Sequence, residues 1–138
     1  MKKSLSLLSV LLVFLAMGFG DAANQLVSIV EKAFDVSPFV ASFVSLFGMI
    51  MFGVLSIPTG VMQSKIGKKK MLSIGLIVFL IGAIFPIVSF SFPIILVSVM
   101  LMGAGATILQ VAGNPLMRDV SSEGKYSSNL SFAQSVKA

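Results

Sequence analysis

Four polar residues lie close together in the first apolar run of the sequence. Asp21, Asn24, Gln25 and Ser28 are separated by three, one and three positions, so a helix would carry all four on one face. Amide side chains both donate and accept hydrogen bonds, which suits binding of a polar solute. A carboxylate is different, because an ionised one near the bilayer centre costs ~2.5–3.5 kcal/mol on insertion scales.

Asp21 is the only acid placed well inside an apolar run, and no Lys or Arg lies within any of the four runs. The residue is therefore expected to face water, to be protonated or to meet a partner from elsewhere. The simpler alternative is that Asp21 lies at the outer interface of the membrane and is solvated there.

A second polar stripe lies in the fourth apolar run, where Thr107, Gln110 and Asn114 follow each other at helical spacing. Pro115 comes next and frees a backbone carbonyl for other partners. Two stripes on separate runs predict helices that line a shared polar cavity, as a carrier of sugars or similar solutes requires. The residues expected to face it, for solute binding or coupling, are Asp21, Asn24, Gln25, Gln110 and Asn114.

The composition excludes most enzymes. The chain of 138 residues contains no cysteine and no histidine, so it lacks thiolates, the commonest metal ligand and the commonest general base. We expect no metal, no cofactor and no bond-breaking catalysis. Charged residues make up 11% of the chain and apolar residues 57%, whereas a soluble domain usually has roughly 25% charged residues.

The apolar residues form four runs, each long enough to cross a bilayer as a helix of ~20 residues. Helices are expected because they satisfy their own backbone in lipid, and the alternation of a barrel strand is not seen. The sequence therefore predicts an all-α membrane protein, with a fifth helix starting at about 129–138. A frayed tail is the alternative for that segment, and a signal peptide cleaved near Ala22 is the alternative for the first run. The four spans are approximately 5–27, 39–62, 71–90 and 94–116.

The distribution of basic residues predicts the orientation. Nine of the ten Lys and Arg residues lie at the N-terminus, between spans two and three, or after span four, and the last group includes Lys137. The exception is Lys32, between spans one and two. An excess of Lys and Arg marks the cytoplasmic side, so the N-terminus is expected to be cytoplasmic. The net charge of +5 then reflects topology, and nucleic acid is not expected as a partner.

The segment between spans two and three resembles the signature of the major facilitator superfamily, written G-x-x-x-D-R-x-G-R-[KR]-[KR]. Its two glycines have the right spacing, and lysines supply the basic positions. Ser64 replaces the acid of the signature, which puts the charge contact of that acid in doubt. The residues assigned to this cytoplasmic gate loop are Gly60, Ser64, Lys65, Gly67, Lys68 and Lys69.

Within that superfamily, the chain resembles the bacterial fucose, glucose and galactose permeases. The segment from Met17 to Asn24 is similar to W-G-F-x-x-x-x-N, residues 109–115 to L-E-T-A-A-N-P, and residues 133–135 to A-Q-S. The resemblance implies a twelve-helix carrier of the bacterial inner membrane that works by alternating access. Residues 1–138 would form the N-terminal part of its first six-helix half, and the remaining helices and a sugar would be its partners.

Two departures from this group concern proton coupling. Sugar–proton symporters of the group have an acid in the first span and one in the fourth, and the corresponding residues here are Gln25 and Gln110, which do not titrate. Either Asp21 has taken over proton coupling, or transport is facilitated and uncoupled.

An autonomous four-helix protein, either a small exporter or a non-transporting scaffold, is the alternative interpretation. Small exporters resemble one another in a buried Glu in the first span and several membrane-facing Trp or Tyr. This chain has no such Glu, no Trp and a single Tyr at 126.

Overall fold

The computed structural model describes residues 2–22, 26–122 and 124–137, which form helices and no β-strand. The helices are α1 (Lys2–Ala22), α2 (Leu26–Phe34), α3 (Pro38–Ala41), α4 (Phe43–Ile66), α5 (Lys68–Val88), α6 (Phe92–Val120) and α7 (Tyr126–Lys137).

The first expected span, 5–27, falls on α1, residues 23–25 and the start of α2. Asn24 and Gln25 therefore lie outside the described residues. Asp21 belongs to the last turn of α1, where the structure describes its backbone only, and Ser28 belongs to α2. The expected common face of these four residues stays a prediction.

The second span begins as its sequence predicts, at Ser37 and Pro38. The Ser37 hydroxyl oxygen accepts a hydrogen bond from the Val40 backbone N–H at 3.3 Å, and Pro38 stands in the first turn. A proline at this position loses no helical hydrogen bond, because the first N–H groups of a helix have no intrahelical partner. A turn at Ser42 joins α3 to α4.

Three helical stretches of the described chain are long and apolar enough to cross a membrane: Pro38–Ile66, Lys68–Val88 and Phe92–Val120. Their lengths of 29, 21 and 29 residues correspond to ~31–44 Å at 1.5 Å per residue, against a hydrocarbon core of ~30 Å. The expected first span is not among these three, so the count of four spans stays a prediction.

Helix α6 lies at the centre of the bundle and packs against α5, α4 and α1. Small residues make two of these contacts close. A Cβ placed on Gly103 would lie 3.2 Å from Gly48 Cα of α4, and one placed on Gly105 would lie 2.6 Å from the Phe79 backbone nitrogen of α5. Such contacts between backbones are the usual way in which helices associate in lipid.

Large apolar side chains cover the outside of the bundle. Ile57 is 76% exposed and Ile87 83% exposed. Exposing such apolar side chains to water costs free energy, whereas exposing them to lipid does not. The interior holds a cluster around Phe14, Leu109 and Met117 between α1 and α6, and a smaller one around Val44.

The loop expected at 60–70 is almost entirely helical. Helix α4 continues to Ile66 and α5 begins at Lys68, so Gly67 is the only residue between them. Gly67 has a φ of 90°, a conformation that residues with a Cβ rarely adopt. The prediction of a loop was wrong because a lysine cluster marks the side of the membrane without interrupting a helix.

Helix α6 also extends beyond the predicted end of the fourth span, to Val120, and contains Pro115, Arg118 and Asp119. Helix α7 begins at Tyr126, three residues before the expected start of the fifth helix, and packs against α1 and α6.

Candidate functional site

A lysine and a glutamine meet between α6 and α7. Lys137 Nζ donates a hydrogen bond to Gln110 Oε1 at 3.3 Å, and both residues are half-buried. Gln110 is ten residues from the end of α6 at Val120, and Lys137 is eleven residues from the start of α7 at Tyr126. Both therefore lie ~15–17 Å along their helices from these two ends.

The sequence counts Lys137 among the basic residues after span four, and the structure places it in α7. Lys137 lies three helical turns along α7, at the level of a residue in the middle of α6.

Helix α1 reaches the same level. A Cβ on Gly18 would lie 2.5 Å from the Lys137 carbonyl oxygen, so α1 and α7 approach each other closely at this point. One turn earlier on α1, the Phe14 ring lies 3.6 Å from the position of a Cβ on Gly113 of α6. Three helices thus meet around Gly18, Gln110 and Lys137.

The other polar residues of α6 have different surroundings. Thr107 is completely buried, and its hydroxyl donates to the Gly103 carbonyl oxygen at 2.7 Å, within its own helix. Asn114, one turn from Gln110, has a buried Oδ1 with no hydrogen-bond partner among the described residues. Because buried acceptors are nearly always paired, Asn114 offers an acceptor to a bound solute or water.

The gate loop residues lie around the junction of α4 and α5, where Lys68 Nζ forms an ion pair with Asp119 Oδ2 of α6 at 2.6 Å. The two side chains are 34% and 50% exposed, so solvent screens the pair and its contribution to stability is about 0–1 kcal/mol. Asp119 was not predicted from the sequence. It was assigned to a cytoplasmic loop, whereas the extended α6 brings it to the first turn of α5.

The remaining gate residues make no comparable contact among the described residues. The Ser64 hydroxyl donates to the Val61 carbonyl oxygen at 2.7 Å, within α4, so it does not replace the acid of the signature. Lys65 and Lys69 are exposed, and a Cβ on Gly60 would meet nothing within 4 Å. A cavity of about 660 Å³ lies beside this end of the bundle, lined by Gln63, Ser64, Ile66, Gly67, Lys68, Lys69, Lys70, Leu116 and Asp119.

The fold and these contacts define a helical membrane protein with polar groups inside the bundle, at Gln110 and Asn114, and an ion pair near the junction of α4 and α5. A family model described as the Major Facilitator Superfamily matches residues 8–137. The chain therefore belongs to the Major Facilitator Superfamily, a family of membrane transporters. Comparison with curated proteins and with solved structures finds no match.

Proposed function

We propose that this chain carries a small polar solute across the membrane by alternating access, with a sugar as the first candidate, as part of a longer carrier. The observation that supports this most strongly is the half-buried polar contact between Gln110 and Lys137 inside the helix bundle, in a chain of a transporter family. Polar groups are costly in a membrane interior and usually belong to a solute pathway.

Gln110 and Asn114 are the proposed solute-binding residues on α6. They are four positions apart, so they lie on one side of the helix about 6 Å apart along its axis. The amide of Gln110 faces Lys137, and the buried Oδ1 of Asn114 has no partner in the described part of the chain. The amide nitrogen of Gln110 can donate and the Oδ1 of Asn114 can accept, so together they can bind two hydroxyl groups of a sugar.

The ion pair between Lys68 and Asp119 is proposed to hold the cytoplasmic ends of α5 and α6 together while the carrier changes conformation. Helices α5 and α6 have the most extensive mutual contacts in the bundle. We therefore expect them to move as one body, as the repeats of alternating-access carriers do. The N-terminus would lie on the cytoplasmic side of a bacterial inner membrane.

Solute uptake into liposomes tests the proposal, with the longest polypeptide that the gene encodes and a panel of labelled neutral sugars and polyols. Gln110→Ala and Asn114→Ala each remove a hydrogen bond of ~0.5–1.5 kcal/mol, so we expect KM to rise about 2- to 12-fold. Ile57→Ala, on the lipid-facing surface, is the control and should leave KM unchanged.

Uptake of no polar solute, or a KM that neither α6 variant alters, would contradict the proposed site. The 138-residue chain is expected to transport nothing without a second half, since a central site needs both halves. Sugar uptake by liposomes that contain only this chain would refute that expectation.

A further inference from the structure

Three consecutive lysines form the first turn of α5. Lys68, Lys69 and Lys70 follow Gly67 directly, and this turn contains no acid. The arrangement is electrostatically unfavourable, because the N-terminal end of a helix carries partial positive charge and favours anions. Gly67, at the N-cap position, offers no side-chain hydrogen bond to the backbone N–H groups of this turn. The start of α5 therefore brings three cations to the positive end of a helix.

One acid compensates part of this charge. Asp119 of α6 forms its ion pair with Lys68. Lys69 and Lys70 are exposed, and neither has an acidic partner among the described residues. All four side chains line the cavity of about 660 Å³, so three lysines and one aspartate give it a net charge of +2. An anion in this cavity would be attracted by two ammonium groups that the protein itself does not neutralise.

An apolar cavity adjoins this charged one. It has a volume of about 610 Å³ and shares Lys69, Leu116 and Asp119 with the first cavity. On α5, Lys69 and Leu76 are seven positions apart, so they lie on one face of the helix, ~10 Å from each other along its axis. Aliphatic side chains of α1, α5 and α6 form most of the lining: Val10, Val13, Leu72, Leu76, Leu116 and Val120.

We propose that the two cavities together bind one anionic phospholipid, with its phosphate at Lys69 and Lys70 and part of an acyl chain along Leu72 and Leu76. Basic pockets between membrane helices bind anionic headgroups in this way. A soluble anion such as inorganic phosphate could use the lysines, but it has no apolar part to match the six aliphatic side chains. The proposal does not depend on which solute the protein carries.

Lipid titration tests the proposal in the longest polypeptide that the gene encodes, purified in detergent and measured by native mass spectrometry. The probes are phosphatidylglycerol, which has one negative charge, and phosphatidylcholine with the same acyl chains and no net charge. We expect the first phosphatidylglycerol to bind at least about fivefold more tightly than phosphatidylcholine. Lys69→Gln and Lys70→Gln should each raise the Kd of phosphatidylglycerol about fivefold, the contribution of one lysine to binding an anionic lipid.

Lys125→Gln is the matched control. Lys125 is also exposed, but it precedes α7 and lines neither cavity. This variant changes the net charge of the protein equally and should leave the Kd of phosphatidylglycerol within about twofold of the parent. A second measurement locates the acyl chain. Phosphatidylglycerol with a photoreactive diazirine in that chain should label peptides that contain Leu76 or Val120.

The proposal is overturned if phosphatidylcholine binds as tightly as phosphatidylglycerol, or if Lys125→Gln weakens binding as much as Lys69→Gln does. Labelling confined to helices other than α1, α5 and α6 would also overturn it. Displacement by inorganic phosphate, beyond that by chloride at the same ionic strength, would indicate a site for a soluble anion and would overturn the lipid assignment. Because the measurement is lipid binding, a protein that binds phosphatidylglycerol but carries no sugar would contradict the proposed function alone.

Discussion

The contact between Gly105 and Phe79 sets how close α5 and α6 can come, and Gly105→Ala tests it. A Cβ at position 105 would lie 2.6 Å from the Phe79 nitrogen and 2.7 Å from its Cα. These are backbone atoms of a helix, so a change of rotamer cannot relieve the clash. The first distance is about 0.8 Å short of the 3.4 Å at which ordinary contact begins.

The two helices must therefore separate by close to 1 Å along their most extensive contact. A gap of 0.5–1 Å already forfeits a quarter to a half of the dispersion energy of the atoms involved, and overpacking of this kind typically costs ~1–3 kcal/mol. We expect Gly105→Ala to lower the free energy of unfolding by about that amount.

The control is Gly53→Ala in α4, because a Cβ at Gly53 would meet nothing within 4 Å. Alanine favours a helix over glycine by up to ~1 kcal/mol, so this variant should be as stable as the parent or more stable. The free energy of unfolding is measured by titration of folded protein in mixed micelles with a denaturing detergent. Equal stability of the two alanine variants would refute the packing argument.

Three further predictions concern single contacts and use the same assay. Ser98→Ala removes the buried hydrogen bond from the Ser98 hydroxyl to the Gly82 carbonyl oxygen, 2.7 Å long. It should lower the free energy of unfolding by ~1–3 kcal/mol, because Pro86, four residues after Gly82 in α5, has no N–H for that carbonyl; no loss would contradict a role for the bond. Asp119→Asn, Lys68→Gln and the double variant together give the coupling free energy of the ion pair, which should be about 0–1 kcal/mol and should decrease as salt is added. A coupling free energy that does not change with salt would argue against an exposed pair. Gly67→Ala should lower the free energy of unfolding by ~1–2 kcal/mol because Gly67 has a positive φ, and an unchanged free energy would contradict a strained link between α4 and α5.

The sequence predicted the helical segments well where the pattern was local. The start of the second span at Ser37 and Pro38 follows from capping chemistry, and the cores of the later spans follow from their apolar runs. The ends were less predictable. Lysines near Gly67 and the polar residues up to Asp119 can continue a helix at the membrane surface, so composition does not mark where the helix stops.

The candidate site was predictable only in part, because its contacts join residues far apart in the chain. Gln110 and Asn114 were found from their spacing within one helix. Their surroundings were not, since Lys137 is 27 positions from Gln110. Asp119 was missed for the same reason, as its partner Lys68 is 51 positions away.

The single residue between α4 and α5 has a mechanical consequence. Only two soft dihedral angles separate the helices at Gly67. The Gly67 N–H donates to the Gln63 carbonyl oxygen of α4, and the Gly67 carbonyl oxygen accepts from the Met71 N–H of α5. The angle between α4 and α5 can change at Gly67, but the connection is too short to let one helix slide past the other. Any shift of α4 along the membrane normal must therefore pull α5 with it, and the extensive packing of α5 against α6 passes the shift on to α6.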